Sequence, residues 1–243
     1  MIRATKSFVL IGLLCLGVAV CAAQLASEPA DPQKAATVDA TAEQFIQELH
    51  STLDIGALGQ MFAPETAARY RDYPGDFLPF DSPRVSKALL KATDDATLHR
   101  KLVADWNLHY LLSVMLVSSP GKDRVKVLPP EFVKLAKKSK HCRSFIGDGG
   151  PVTLASDTEM TEYLAEAGQL VAILRQNIKP EMLNSSAYRA ASDKARTQFG
   201  PPRQVIDALG YDKVYTVARE SVMLVMAETG REMKLVWLAP LPF

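Results

Sequence analysis

Only three cysteines, Cys15, Cys21 and Cys142, occur in 243 residues. Two of them lie in the first 23 residues, which excludes a small scaffold stapled by disulfides. A surplus of charge is lacking too: 28 basic side chains face 27 acidic ones, a formal net charge of +1. A dedicated nucleic-acid binder needs excess cations to displace phosphate counterions, so that class is excluded. Histidine is scarce, and His50, His99, His109 and His141 show no HExxH or other metal-ligand spacing. No metal or cofactor is expected. GxSxG, GxGxxG, P-loop and CxxC motifs are all missing from the chain, which leans the reading away from an enzyme without closing that class. Past Val20 no apolar run approaches the roughly 20 residues that a membrane helix needs.

What is present begins with targeting. Arg3 and Lys6 precede an apolar run from Phe8 to Val20, followed by the small residues Ala22 and Ala23. A positive start, an apolar run too short to span a bilayer and a small-residue site predict a cleavable secretory signal over residues 1–23. The mature protein is then expected to be exported, periplasmic or extracellular. Losing Arg3 and Lys6 leaves one more acid than base. Val18-Ala19-Val20-Cys21 also resembles a bacterial lipobox, except that Val20 stands where Gly, Ala or Ser belongs. The alternative is therefore a lipid anchor through Cys21.

Residues 24–38 are rich in Ala, Pro and Gln without periodicity and read as a flexible tether. Residues 39–243 read as a single globular domain. Phe45, Ile46, Leu49 and Leu53 recur at helical spacing. A stronger helix is predicted from Asp94 to Val117, with one apolar face of Leu98, Leu102, Trp106, His109, Leu112 and Leu116. Pro129-Pro130 opens a basic helix through Ser139. Ser156-Asp157-Thr158-Glu159 has the spacing of a capping box before a helix running to Ile178. A polar, Ala-rich helix is predicted over 185–198 and a short helix over 204–209. The tail turns strand-like: 214–227 and 233–238 flank Glu228-Thr229-Gly230-Arg231 as an antiparallel hairpin. The fold class is α+β, predominantly helical with a C-terminal hairpin packed on the helices; an all-α bundle is the alternative.

The most uneven feature is the stretch 122–143, in which eight basic residues face Asp123 and Glu131. Lys134, Lys137, Lys138, Lys140 and Arg143 are its candidate contacts to an anionic surface, weighed against a solvated helix face. His141-Cys142 beside these cations suggests an activated thiolate, against a half-buried free cysteine as the favoured reading. Gly147-Asp148-Gly149-Gly150 has the composition to cradle an anion with backbone N–H groups, against a plain turn. His109, on the apolar stripe, reads as a hydrogen-bonded core residue, and Asp95 and His99 as a surface pair. The aromatics between Tyr70 and Phe80 read as a loop pinned to the core, or as a partner surface. Ser119-Pro120-Gly121-Lys122 matches SxxK only in letters, and Asn184-Ser185-Ser186 is a glycosylation sequon.

Two segments resemble the NTF2-like group of α+β proteins: Phe45 to Pro64, like that group's opening helix pair, and the closing hairpin ending Met233 to Leu238. The resemblance implies a ligand-holding cavity and transfers no catalytic residue. The long helical middle departs from that group's curved sheet. Together these readings describe an exported protein that binds an unidentified partner protein or small ligand without catalysis. An enzyme of unrecognised type is one alternative. An envelope-associated protein using 122–143 on anionic surfaces is the other.

Overall fold

The computed structural model describes residues 32–51, 59–74, 81–119, 123–183, 185–187, 189–190, 211, 214–219 and 222–240. The expected signal, Cys21, the first half of the tether and the helix expected over 204–209 lie outside them. So do Phe77, Phe80, Asn184 and most of the helix expected over 185–198.

Helix α1 spans Pro32–Ser51, so the stretch 32–38 read as tether is helical. Proline at the first described turn suits a helix start. Val38, Ala42, Phe45 and Ile46 are buried at the spacing of one helix face, and α1 packs on the C-terminal sheet. Lys34 pairs with Glu228 at 2.6 Å. Helix α2 (Thr66–Asp72) carries buried Tyr70, so the aromatic connection begins inside a helix. Strand β1 (Arg84–Val85) leads into α3 (Lys87–Ala92), capped by the Ser86 side chain.

Helix α4 (Asp95–Val117) starts on Asp94, whose side chain accepts the Thr97 N–H. From Lys101 to Met115 every residue but His109 is buried. The expected single apolar face is thus wrong in kind: α4 is enclosed on all sides. Its polar positions are enclosed as well. Lys101 pairs with Asp105 at 2.5 Å, and neither side chain has any exposure. Around α4 lie α2, α5 (Arg124–Val127), α7 (Asp157–Asn177), α8 (Pro180–Leu183) and the sheet. Between α5 and α7 come α6 (Pro130–Lys138), a 3₁₀ helix η1 (Arg143–Ile146) and β2 (Thr153–Leu154), which pairs in parallel with β1.

The tail is a three-stranded antiparallel sheet in the order β3-β4-β5: Val214–Arg219, Val222–Thr229 and Glu232–Pro240. The expected first strand, 214–227, is two strands, paired antiparallel with Arg219 opposite Val222. In β5, Val236 is the extra residue of a bulge, with Trp237 opposite Val225 and Leu235 opposite Met226. Met223 to Ala227 are consecutively buried, so both faces of the central strand are covered. Ala63 donates its N–H to the Leu235 carbonyl at 2.7 Å, which adds segment 61–63 to the edge of β5. The fold is predominantly helical α+β with its sheet packed on helices. No helix of the described residues is long and apolar enough to cross a membrane.

The Tyr163 hydroxyl donates to the second Asp105 oxygen, so one carboxylate serves two buried donors. Asp105→Ala leaves Lys101 a buried unpaired cation and should lower stability by about 3–5 kcal/mol. The double replacement Lys101→Met/Asp105→Leu removes both charges and should be much milder. Urea midpoints measure both; a single variant that unfolds at the wild-type urea concentration would show that the pair does not hold the core.

Candidate functional site

The site grows from the end of α6. Phe132, Val133 and Ala136 face the core, while Lys134, Lys137 and Lys138 are exposed on the other side. Lys137 and Lys138 sit in the last turn, where cations complement the helix dipole. None of these three lysines has an ion pair among the described residues. Ser139 then ends the helix. Its hydroxyl accepts the backbone N–H groups of His141 and Cys142 at 3.0 and 2.8 Å, folding the chain back on itself. The same hydroxyl donates to Glu166 Oε2 at 2.5 Å, and His141 Nδ1 lies 3.1 Å from that oxygen.

Next, η1 carries Arg143 and Ser144. Gly147, at φ +75°, ends it in the left-handed conformation that glycine adopts without strain. Arg143 Nε and Nη2 both reach Asp148 Oδ2, at 3.0 and 2.6 Å. Ser144 donates to the Asp81 carbonyl at 2.6 Å, and the Val152 carbonyl accepts the Arg84 N–H at 2.8 Å. These anchors frame a half-open cleft of about 310 Å³ lined by Lys140, His141, Arg143, Ser144, Asp148, Gly149, Gly150 and Val152. The glycine turn expected from the sequence is there, and it forms one wall.

The basic stretch therefore divides. Lys140 is tied to Glu159 at 2.6 Å, Arg143 to Asp148, and Arg124 to Asp81 at 2.8 Å. Lys134, Lys137 and Lys138 stay together on the free face of α6, and Lys122 lies outside the described residues. The hydrogen bond to Glu159 holds the exposed Lys140 ammonium above its ordinary range and the Glu159 carboxyl below its own. Glu159, Tyr163 and Glu166 fall at i, i+4 and i+7 of α7 and bond Lys140, Asp105 and the Ser139–His141 turn in that order. In the sequence Glu159 is marked only as a cap residue, and Tyr163 and Glu166 belong to no local motif. Their spacing along one helix stripe was the available signal. Glu159 also accepts the Ala155 N–H at 2.7 Å, while Ser156 accepts the Glu159 N–H, so the expected capping box is present, shifted by one residue on one side.

Cys142 is buried with no exposure. Burial pushes its thiol up to about 12, and the nearby Glu166 and Asp105 carboxylates add to the rise against the bond to Ser139. A thiolate nucleophile therefore has no support at neutral pH. Asp95 pairs with Arg71 at 2.5 Å and not with His99, which stacks on Phe62 with ring centroids 6.2 Å apart. His109 Nδ1 is buried without a hydrogen-bond partner, and burial lowers this ring to about 4. Its expected core hydrogen bond is missing at that nitrogen. Tyr70 is buried and Tyr73 is 47% exposed, so the aromatic set splits between core and surface. Among the described residues no group of His, Cys, Asp and Glu is arranged to hold a metal ion.

Comparison with protein-family models, curated proteins and solved structures gave no match.

Two predictions follow from burial. Native protein at pH 8 should react with a disulfide reagent at Cys142 only as fast as it opens, and stoichiometrically once unfolded; prompt labelling of the native state would contradict the neutral, closed thiol. His109 should also make stability pH-dependent. Its folded value lies near 4 against 6.5 when free, so the unfolded chain binds the proton first. Stability is full above pH 6.5 and falls by about 3 kcal/mol as the pH drops to 4. His109→Leu should flatten that loss in thermal unfolding, and an unchanged slope would refute the assignment.

Proposed function

We propose that the protein is an exported, non-enzymatic binding protein that holds reversibly to anionic envelope surfaces through the lysine face of α6. The observation that carries this reading is Lys134, Lys137 and Lys138 at i, i+3 and i+4, all exposed and without ion pairs among the described residues. The opposite face buries Phe132, Val133 and Ala136, so the helix is held with its ammonium groups outward. Lys126, in the preceding helix, is exposed as well.

The size of the effect fits a reversible attachment. Each lysine near an anionic bilayer contributes about 1 kcal/mol, so three give about a hundredfold enrichment at the surface. That falls short of a permanent anchor. Ammonium groups on flexible stems recognise charge density more than shape, which suits a phospholipid surface better than a single shaped partner. Salt screens such contacts beyond about 8–10 Å.

Sedimentation with vesicles containing phosphatidylglycerol tests the reading. Wild-type protein should bind at low salt and release at high salt. Lys134→Gln/Lys137→Gln/Lys138→Gln should reduce partitioning by about a hundredfold. Binding that survives high salt or the triple substitution would overturn the proposal.

A further inference from the structure

The cleft beside η1 differs in kind from the lysine face. Its two cations are held in place by carboxylates: Asp148 takes the Nε and Nη2 groups of Arg143, and Glu159 takes one donor of Lys140. Nη1 of Arg143 and two of the three ammonium hydrogens of Lys140 are left to bind something else. The amides of Gly149 and Gly150 have no acceptor among the described residues. Gly149 sits at φ +88°, which a residue with a side chain would hold only under strain. Ser144 and Val152 are fixed to Asp81 and to Arg84, so the wall is set before any ligand arrives.

We propose that this cleft binds a phosphoryl group carried by a small soluble ester or by a lipid headgroup. Four donor groups line it, from Lys140, Arg143, Gly149 and Gly150, against the single lining carboxylate of Asp148. A tetrahedral oxyanion has oxygens for donors arriving from several directions; a planar carboxylate offers two. Guanidinium forks and free backbone amides in a glycine turn are both suited to phosphate. The cleft, about 310 Å³, holds more than a bare phosphate and leaves room for the attached carbon group. His141 acts as wall only. Its Nδ1 is committed to Glu166, and its Nε2 is buried.

The test follows the Gly149 and Gly150 amide resonances of ¹⁵N-labelled protein in titrations with inorganic phosphate, glycerol 3-phosphate and vesicles containing phosphatidic acid. Saturable movement of both amides is expected. Arg143→Gln should weaken binding about tenfold or more. Gly150→Leu meets nothing within 4 Å of its new Cβ, so it should fold normally and obstruct the cleft without changing charge. Lys134→Gln/Lys137→Gln/Lys138→Gln should leave the titration unchanged, so this site stands or falls apart from the lysine face. Movement with the soluble probes identifies a soluble ester; movement only with vesicles identifies a headgroup. The proposal is overturned if no probe gives saturation, or if chloride at equal ionic strength moves the amides as far.

Discussion

A lysine and an aspartate with no exposure to water lie in the middle of the longest described helix, and the surrounding layers are placed to accommodate them. Burial alone lowers Lys101 and raises Asp105, disfavouring both charges, and their mutual attraction opposes both shifts. Such a pair is tolerable only with its remaining lone pairs filled. Tyr163 fills one from α7, and its ring lies under the ammonium, 5.2 Å from centroid to nitrogen. Sliding α7 by one turn against α4 would separate these groups. A buried polar contact of this sort selects one register among many that hydrophobic packing alone would permit.

That register also builds the surface site. Tyr163 lies between Glu159 and Glu166 on one stripe of α7. When it meets Asp105, Glu166 meets the Ser139 turn and Glu159 meets Lys140. The core thereby fixes where α6 ends, and the end of α6 fixes one wall of the cleft. The other walls are set from the far side, by Asp81 and Arg84 through Ser144 and Val152. The cleft is thus a consequence of packing between α4 and α7, transmitted through hydrogen bonds that each span a single side chain.

Local signals in the sequence were legible where the physics is local. Asp94 and Ser156 cap helices as their spacing implies, Pro130 opens α6, and Gly230 at φ +67° turns β4 into β5. Non-local facts were not legible. Lys101, Asp105 and Asn107 lie outside the expected apolar face, and polarity along one helix does not reveal partners such as Tyr163, 58 residues on, or Arg175, which donates to Asn107 at 3.3 Å. No glycine or proline falls between Val214 and Ala227, so a run of 14 strand-like residues reads as one strand, although strands are usually about 5–6 residues long. The helix over 32–38 is hidden by composition, since a short segment with only Val38 as a large apolar residue shows no periodicity, and its helix propensity becomes visible only when Val38 has a sheet to cover it.

The seven described cations between 124 and 143 look alike in sequence, yet their partners make them unlike. Lysines on α6 keep their rotamer freedom, and ordering such a side chain on binding costs about 1–2 kcal/mol. They therefore favour contacts that do not demand a fixed geometry, which is what a charged surface offers. Arg143 and Lys140 have already lost that freedom to Asp148 and Glu159, so a ligand meeting them loses little more. The same carboxylates that reduce the local charge thus reduce the entropy lost on binding. Net charge near the cleft is a poor guide to affinity for this reason. Fixed donors with modest charge favour a ligand of one shape, and mobile donors with full charge favour any anionic surface. The chain carries both, separated by the single turn that Ser139 makes.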